Sequence, residues 1–290
     1  IGKSASLRVA AIEQKLNAQS LAKTQVTTEQ GYQDYAPWMS MPKAKERAMA
    51  VAPMGPVLSR EALAARHDFL KGRTSNLAAI GMCSSEFHVL HESTTAIDAF
   101  YRETDTALEL IGRVSPNMAD LWTALVRELL PLEPNSPASK VRYLGSGISN
   151  HYYRGGIFTH LPIPEEFRTE ELAINLVHEL GHQALMFYQY ADRLFECDPA
   201  TEVYSAIRKV NRPLVMSFHA VVALAFMCEF TRLAMQRASG VSRAYLEKRH
   251  GEITFDLHLG LKAIQHVKFT DFGSLLVREL SAVHAKARSA

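Results

Sequence analysis

His178, Glu179 and His182 form the pattern H-E-x-x-H within the stretch Leu176-Val177-His178-Glu179-Leu180-Gly181-His182-Gln183. Two imidazoles four residues apart lie one turn apart on a single face of a helix, so both can reach one metal ion. Glu179 follows the first of them and points into the same site. A helix is expected on separate grounds. Thr169 suits an N-cap, Glu170 and Glu171 suit the positive end of the helix dipole, and Leu172, Leu176, Leu180 and Ala184 recur at helical spacing. The competing explanation is a pair of core histidines spaced by chance. That would leave Glu179 half-buried with no role.

Two histidines do not complete a metal site; a third protein ligand is needed, with positions left open for water or substrate. One candidate is Glu202, twenty positions after His182. Thermolysin-like peptidases use a glutamate at about that distance on a following helix, and Thr201-Glu202-Val203-Tyr204-Ser205-Ala206 echoes their E-x-x-S. The other is His219, in a long apolar segment. His-His-Glu suits zinc hydrolysis, whereas three histidines, or two with a carboxylate, also hold iron with open positions. Asp198, Glu196 and Glu229 are weaker candidates. A third histidine six positions after His182 is absent, since position 188 is Tyr.

The elements that must position these residues are mostly helical. Residues 5–23 have helical composition, and 24–57 are irregular, with Tyr32, Tyr35 and Trp38 among prolines and glycines. Ser59 caps a helix to about Lys71. Further helices are expected at about 75–90, 94–112 and 116–130, the last started by Ser115-Pro116. A Pro-rich connector, Leu132 to Ser139, precedes two strands at 141–148 and 153–161 around a turn at Asn150. Gly145, Gly147, Gly155 and Gly156 imply bulges or a close backbone approach there. Residues 191–212 read as a polar, partly irregular crossing. Pro213 opens a long helix ended by Gly240, and helices at about 242–268 and 272–287 close the chain. The expected fold is mainly α with a small β-sheet (α+β), with a zincin-like metal helix. Its expected regions are an arm (1–57), a helical subdomain (58–131) and a metal-site region (140–290), or one continuous domain.

The bulk numbers agree with one sizeable core. Of 290 residues, 47% are hydrophobic. Lysine and arginine number 32 against 30 acids, a net charge of +2, so nothing indicates a nucleic-acid surface or a polybasic membrane patch. Cys83, Cys197 and Cys228 lack C-x-x-C spacing and read as reduced thiols of an intracellular protein. The segment Leu214 to Met235 contains His219, Glu229 and Arg232, which argues for a buried helix rather than a membrane span. With no secretory signal visible, a cytoplasmic protein is expected.

Around the motif the chain resembles a bacterial family of H-E-x-x-H peptide-modification proteins. These are 2-oxoglutarate-dependent peptide β-hydroxylases associated with ribosomally made natural products. The resemblance runs from about 143 to 233 and its parts come in order. They are Ser146-Gly147-Ile148-Ser149, Gly156-Ile157-Phe158, the H-E-x-x-H helix, Tyr204-Ser205-Ala206-Ile207-Arg208-Lys209-Val210-Asn211-Arg212-Pro213, and Met216-Ser217-Phe218-His219-Ala220-Val221-Val222-Ala223. The fourth part corresponds to the family's Y-S-P-W-R-x-D-P-R-P. It keeps Arg208, Arg212 and Pro213, but has Ala206-Ile207 and Val210-Asn211 in place of the proline–tryptophan and aspartate–proline pairs. Ala220 stands where the family has glycine.

The resemblance implies that His178, His182 and His219 hold Fe(II), and that Arg212, or else Arg208, pairs with the distal carboxylate of 2-oxoglutarate. It implies a precursor peptide as substrate. Glu179 would then orient a ligand, hydrogen-bond a metal water or ligate the metal itself. Ser146, His151 and Tyr153 could line the substrate channel, and a peptide could add along an exposed strand edge. The alternative is a zinc peptidase, with His178, His182 and Glu202 on Zn and Glu179 activating the metal-bound water. A further alternative is a non-catalytic peptide-binding relative. His88, His91, His160, His250, His258, His266 and His284 are expected to be structural.

Overall fold

The structure is a computed structural model that describes residues 60–64, 87–134, 147–149, 155–162, 166–191 and 193–289. The expected helix at 5–23, the arm, and the channel residues Ser146, His151 and Tyr153 lie outside the described residues. So does the turn at Asn150.

The described chain is mainly α with a small sheet. In order it runs β1 (Phe87–Val89), α1 (Thr94–Val114), α2 (Pro116–Leu125), β2 (Glu128–Pro134), β3 (Gly147–Ile148), β4 (Gly156–Thr159), α3 (Arg168–Ala191), β5 (Glu202–Ser205), β6 (Val210–Pro213), α4 (Leu214–Met235), α5 (Gly240–Ala263) and α6 (Asp271–Ala287). The first four strands form one sheet in the order β1-β2-β4-β3, and β5 and β6 form a separate hairpin.

Two segments expected to be helical contribute strands instead. Residues 87–89, at the end of the expected 75–90 helix, are β1, and α2 stops at Leu125 so that 128–130 belong to β2. The expected connector from Leu132 is in part the second half of that same strand. The reason lies in the run Glu128-Leu129-Leu130-Pro131-Leu132. It is buried on both faces and so lacks the alternation that marks a half-exposed strand. Pro131 also argues against an inner strand. It is accommodated because β2 changes neighbours there: residues 128–131 pair in parallel with β4, and 132–134 pair antiparallel with β1. The crossing at 191–212 likewise contains a feature not expected, the hairpin β5–β6. Its turn closes through Lys209 N–H donating to Ser205 O at 2.8 Å, with Lys209 at φ 57°.

By its contacts the chain divides into two compact units. Among the described residues, one contains 111–124 and everything from Leu180 onward, and the other contains the residues up to Leu110 together with 125–179. The sheet belongs to the second. The first is built on α4, whose Leu214, Phe218, Val221, Val222, Leu224, Phe226 and Phe230 are buried. That helix has the length and hydropathy of a membrane span, yet 78% of its apolar window is buried within the protein. Burying each such large side chain contributes about 1.5–3 kcal/mol. Phe195, Phe218 and Phe269 close a ring triangle beside it, with centroids 5.4–5.6 Å apart. Each pair adds about 0.5–1.5 kcal/mol and holds the start of α4 against the chain leading to α6.

Candidate metal centre

Helix α3 starts at Arg168, so Thr169 lies inside its first turn rather than at the cap. The residue before it, Phe167, has φ 59° and its carbonyl accepts from Glu171 N–H at 2.9 Å. Glu170 and Glu171 occupy the first turn, where carboxylates suit the helix dipole. The helix is buried almost all round. Between Leu172 and Gln189 the partly open positions are Asn175, His178, His182 and Gln189. Spacings of three, four and seven place them on one face, so the accessible stripe of α3 is polar and carries both motif histidines. The helix is continuous where the two units divide, and its own geometry sets the spacing of these side chains.

His178, Glu179 and His182 present ligand atoms that all lie within 4.8 Å of one another, an arrangement that can hold a metal ion. The Glu179 side chain is 1% exposed, and its Oε1 stands 3.8 Å from His178 Nε2. A carboxylate so far from water needs cations or hydrogen-bond donors around it. The backbone of β3 passes directly beside it. A Cβ on Gly147 would lie 2.6 Å from Glu179 Cγ and 2.7 Å from Oε1. Glycine is therefore required at 147 to let the strand approach the carboxylate, as the glycine-rich sequence around it implied. β3 is the last strand in the sheet order, paired to β4 through Gly147–Thr159 and Ile148–Phe158.

The second histidine meets His219. The two Nδ1 atoms are 3.3 Å apart. Two nitrogens each about 2.1 Å from one ion at a tetrahedral angle stand about 3.4 Å apart, so the separation fits either an N–H···N hydrogen bond or a shared metal; His219 lies outside the group that His178, Glu179 and His182 form. The meeting is arranged by a close helix crossing one residue away. A Cβ on Gly181 would lie 2.9 Å from Ala223 Cα, and Ala223 is one turn beyond His219 on α4. Pro213 ends β6, with Leu214 the first residue of α4. Ser217 Oγ donates to Val203 O at 3.2 Å and fixes the first turn of α4 on the hairpin.

His219 is also held from its far side. Its Nε2 lies 3.0 Å from Gln189 Oε1. With Nε2–H donating to that oxygen, Nδ1 keeps a lone pair toward His182, which is the tautomer a metal ligand needs. Gln189 was not singled out from the sequence, though its place seven residues after His182 on the same face was readable. Asn175, one turn before His178, was also missed. Among the described residues Asn175 Nδ2 and Gln189 Nε2 are buried atoms without hydrogen-bond partners, so the stripe offers donors on both sides of the histidines.

The other sequence candidates stand apart. Glu202 is exposed on β5, on a strand rather than the helix that a thermolysin-like arrangement uses, and like His219 it lies outside the group that His178, Glu179 and His182 form. Asp198 accepts from Ala200 N–H at 2.8 Å, and Glu229 pairs with Arg232 at 3.0 Å. Glu196 is also exposed and outside the group. Arg208 is exposed in the hairpin turn. Arg212 is half-buried at the end of β6, and its guanidinium donates to Met216 Sδ at 3.5 Å rather than to a carboxylate or histidine. Burial and the neighbouring Arg208 both lower the pKa of Arg212. His88 pairs across strands with Glu133 at 3.4 Å, and His91 and His160 face backbone carbonyls. No protein-family model matches the chain, and no curated protein matches it.

Proposed function

We propose that this chain is a non-haem iron, 2-oxoglutarate-dependent oxygenase that hydroxylates a side-chain carbon, at Cβ, of a ribosomally made precursor peptide. The observation that carries the reading is the 3.3 Å approach of His219 Nδ1 to His182 Nδ1. It favours His219 over the exposed Glu202 as the partner of His182, and so as the ligand added to the group that His178, Glu179 and His182 form. The oxygenase chemistry rests on the resemblance of the segments around 146–149, 204–213 and 216–223 to the peptide hydroxylases. It also rests on the suitability of imidazoles for iron. A zincin-like metal helix beside a small sheet is part of the same proposal.

In this reading His178, His182 and His219 hold Fe(II), and Arg212 pairs with the distal carboxylate of 2-oxoglutarate. When bound, the two supply, with dioxygen, the oxidation that leaves one oxygen atom on the substrate carbon while the oxo acid is converted to succinate and carbon dioxide. Gln189 holds His219 in its ligating tautomer. Glu179, 3.8 Å from His178 Nε2, would help orient that ligand. The edge strand β3 offers backbone groups to an extended peptide beside Glu179.

Glu179 itself favours a second reading. A buried carboxylate within reach of both motif histidines is also where a zinc hydrolase places its general base. With zinc on the same histidines, Glu179 takes the proton of the attacking water and the substrate is a peptide bond. The test is anaerobic reconstitution with Fe(II) followed by 2-oxoglutarate, monitored for the weak visible charge-transfer band of the chelate. A band lost in His219→Ala and kept in Glu202→Ala supports the oxygenase. No band, with tight zinc binding and peptide cleavage abolished by Glu179→Gln, establishes the hydrolase instead.

A further inference from the structure

A second constellation of basic side chains lies on α5 and α6, within one unit and apart from the metal centre. His250, Gly251, Thr254, Phe255, His258, His284, Ala287 and Arg288 line a cavity of about 420 Å³. A neighbouring cavity of about 450 Å³ shares His258 and His284 and adds Lys262, so the two rings divide one groove. The His258 and His284 rings stack, with centroids 5.4 Å apart and planes at 25°.

Among the described residues no carboxylate lines either cavity. The acids of α5 nearest in sequence are engaged elsewhere, Glu252 with Arg249 and Asp256 with Lys209. Burial lowers the pKa of His284, and the charges it feels, His258 and Arg288, are both basic. Arg288 forms no ion pair among the described residues. A guanidinium beside imidazoles that can donate N–H, with no carboxylate lining either cavity, suits an anion. Two further features concern the rest of the ligand. Phe255 is 62% exposed at the rim. Gly251 sits within a 24-residue helix, and a Cβ added there would meet nothing within 4 Å. Glycine is a poor helix former, and here it leaves the groove open above the backbone.

We propose that this groove binds a small aromatic anion, a carboxylate or phosphate attached to a planar ring. Arg288, His258 and His284 surround the charge, and Phe255 lies against the ring. The inference stands independently of the metal chemistry.

The test is a titration of the full chain with phenyl phosphate and with phenylacetate, followed by imidazole and backbone NMR shifts at constant ionic strength. Inorganic phosphate and benzyl alcohol serve as controls. Saturable binding of either aromatic anion is expected, stronger than that of both controls. Arg288→Gln should weaken it about tenfold, the loss of one charge-assisted hydrogen bond at a partly exposed site. Gly251→Leu should abolish it while circular dichroism shows the helices intact. Binding that does not saturate overturns the site. So does binding weakened less than threefold by both substitutions, or matched by benzyl alcohol. Preference for phenyl phosphate over phenylacetate, or the reverse, identifies the acid group.

Discussion

The strongest single test of the metal-centre geometry is Gly147→Ala. The new Cβ would stand 2.6 Å from Glu179 Cγ, 2.7 Å from Oε1 and 2.8 Å from Cδ. Carbon atoms settle at about 3.5–4.0 Å, so roughly 1 Å of movement is demanded. Neither partner yields freely. Gly147 is paired with Thr159 of β4, and the Glu179 side chain is 1% exposed on a helix buried on nearly every face. Overpacking of this kind costs about 1–3 kcal/mol. At about 2–4 °C per kcal/mol for a chain of this size, Tm should fall by roughly 2–12 °C in metal-free protein. The same change made in Glu179→Ala meets none of those three atoms. Its cost there should shrink by about 1 kcal/mol or more, and that difference is the coupling the double-mutant cycle reads. Urea unfolding of the four proteins measures it. Additivity within about 0.5 kcal/mol would refute the claim that β3 rests on the Glu179 carboxylate.

Further outcomes are expected elsewhere. Gln189→Leu should weaken Co(II) or Zn binding about 10–100-fold, because the far side of a ligating histidine is then unsupported, while Gln189→Glu, which still accepts from Nε2–H, should retain most of the affinity. Equal affinities in all three proteins would remove Gln189 from the site. Two helix-interior glycines should respond with opposite signs. Gly181→Ala drives a Cβ to 2.9 Å from Ala223 Cα and should destabilise by about 1–3 kcal/mol, whereas Gly251→Ala meets nothing and should stabilise by about 0.5–1 kcal/mol; thermal melts decide both. Stability should also depend on His250. Burial lowers its pKa below the ordinary value of about 6.5, while Ala287 O, Thr231 Oγ1 and its surroundings hold the ring in place. The unfolded chain therefore binds a proton that the folded one refuses. The stabilising contribution is present above about pH 6.5 and is lost as pH falls from there toward the lower folded pKa. Tm measured from about pH 7.5 to 5.5 should drop less steeply in His250→Gln than in the wild type, and parallel curves would exclude the assignment.

The helices α1, α3, α4, α5 and α6 were legible from periodicity, from the carboxylates opening α3 and from Pro213 and Gly240, to within a few residues at their ends. What was not legible follows from physical causes. β2 is buried on both faces, and a run such as Leu129-Leu130-Pro131-Leu132 has no period to read. The hairpin β5–β6 is partly exposed on both strands, so burial imposes no alternation on it. Gly240, expected to end α4, instead begins α5 at φ 57°, with Met235 the last residue of the helix before it. The position permits a left-handed residue in either role.

At the site the division is clear. Helical geometry alone puts His178 and His182 on one face, because a spacing of four is close to one turn whatever surrounds the helix. It also puts Glu179 beside the first of them. Sequence spacing carries no information about a partner 37 residues further along. That His219 rather than Glu202 meets His182 was decided by the crossing of two helices at Gly181 and Ala223, where the absence of a side chain lets the backbones close. The same is true of Gly147 against Glu179. Local order follows from bonded geometry, whereas these meetings depend on which surfaces pack, and packing is settled by the tertiary fold as a whole.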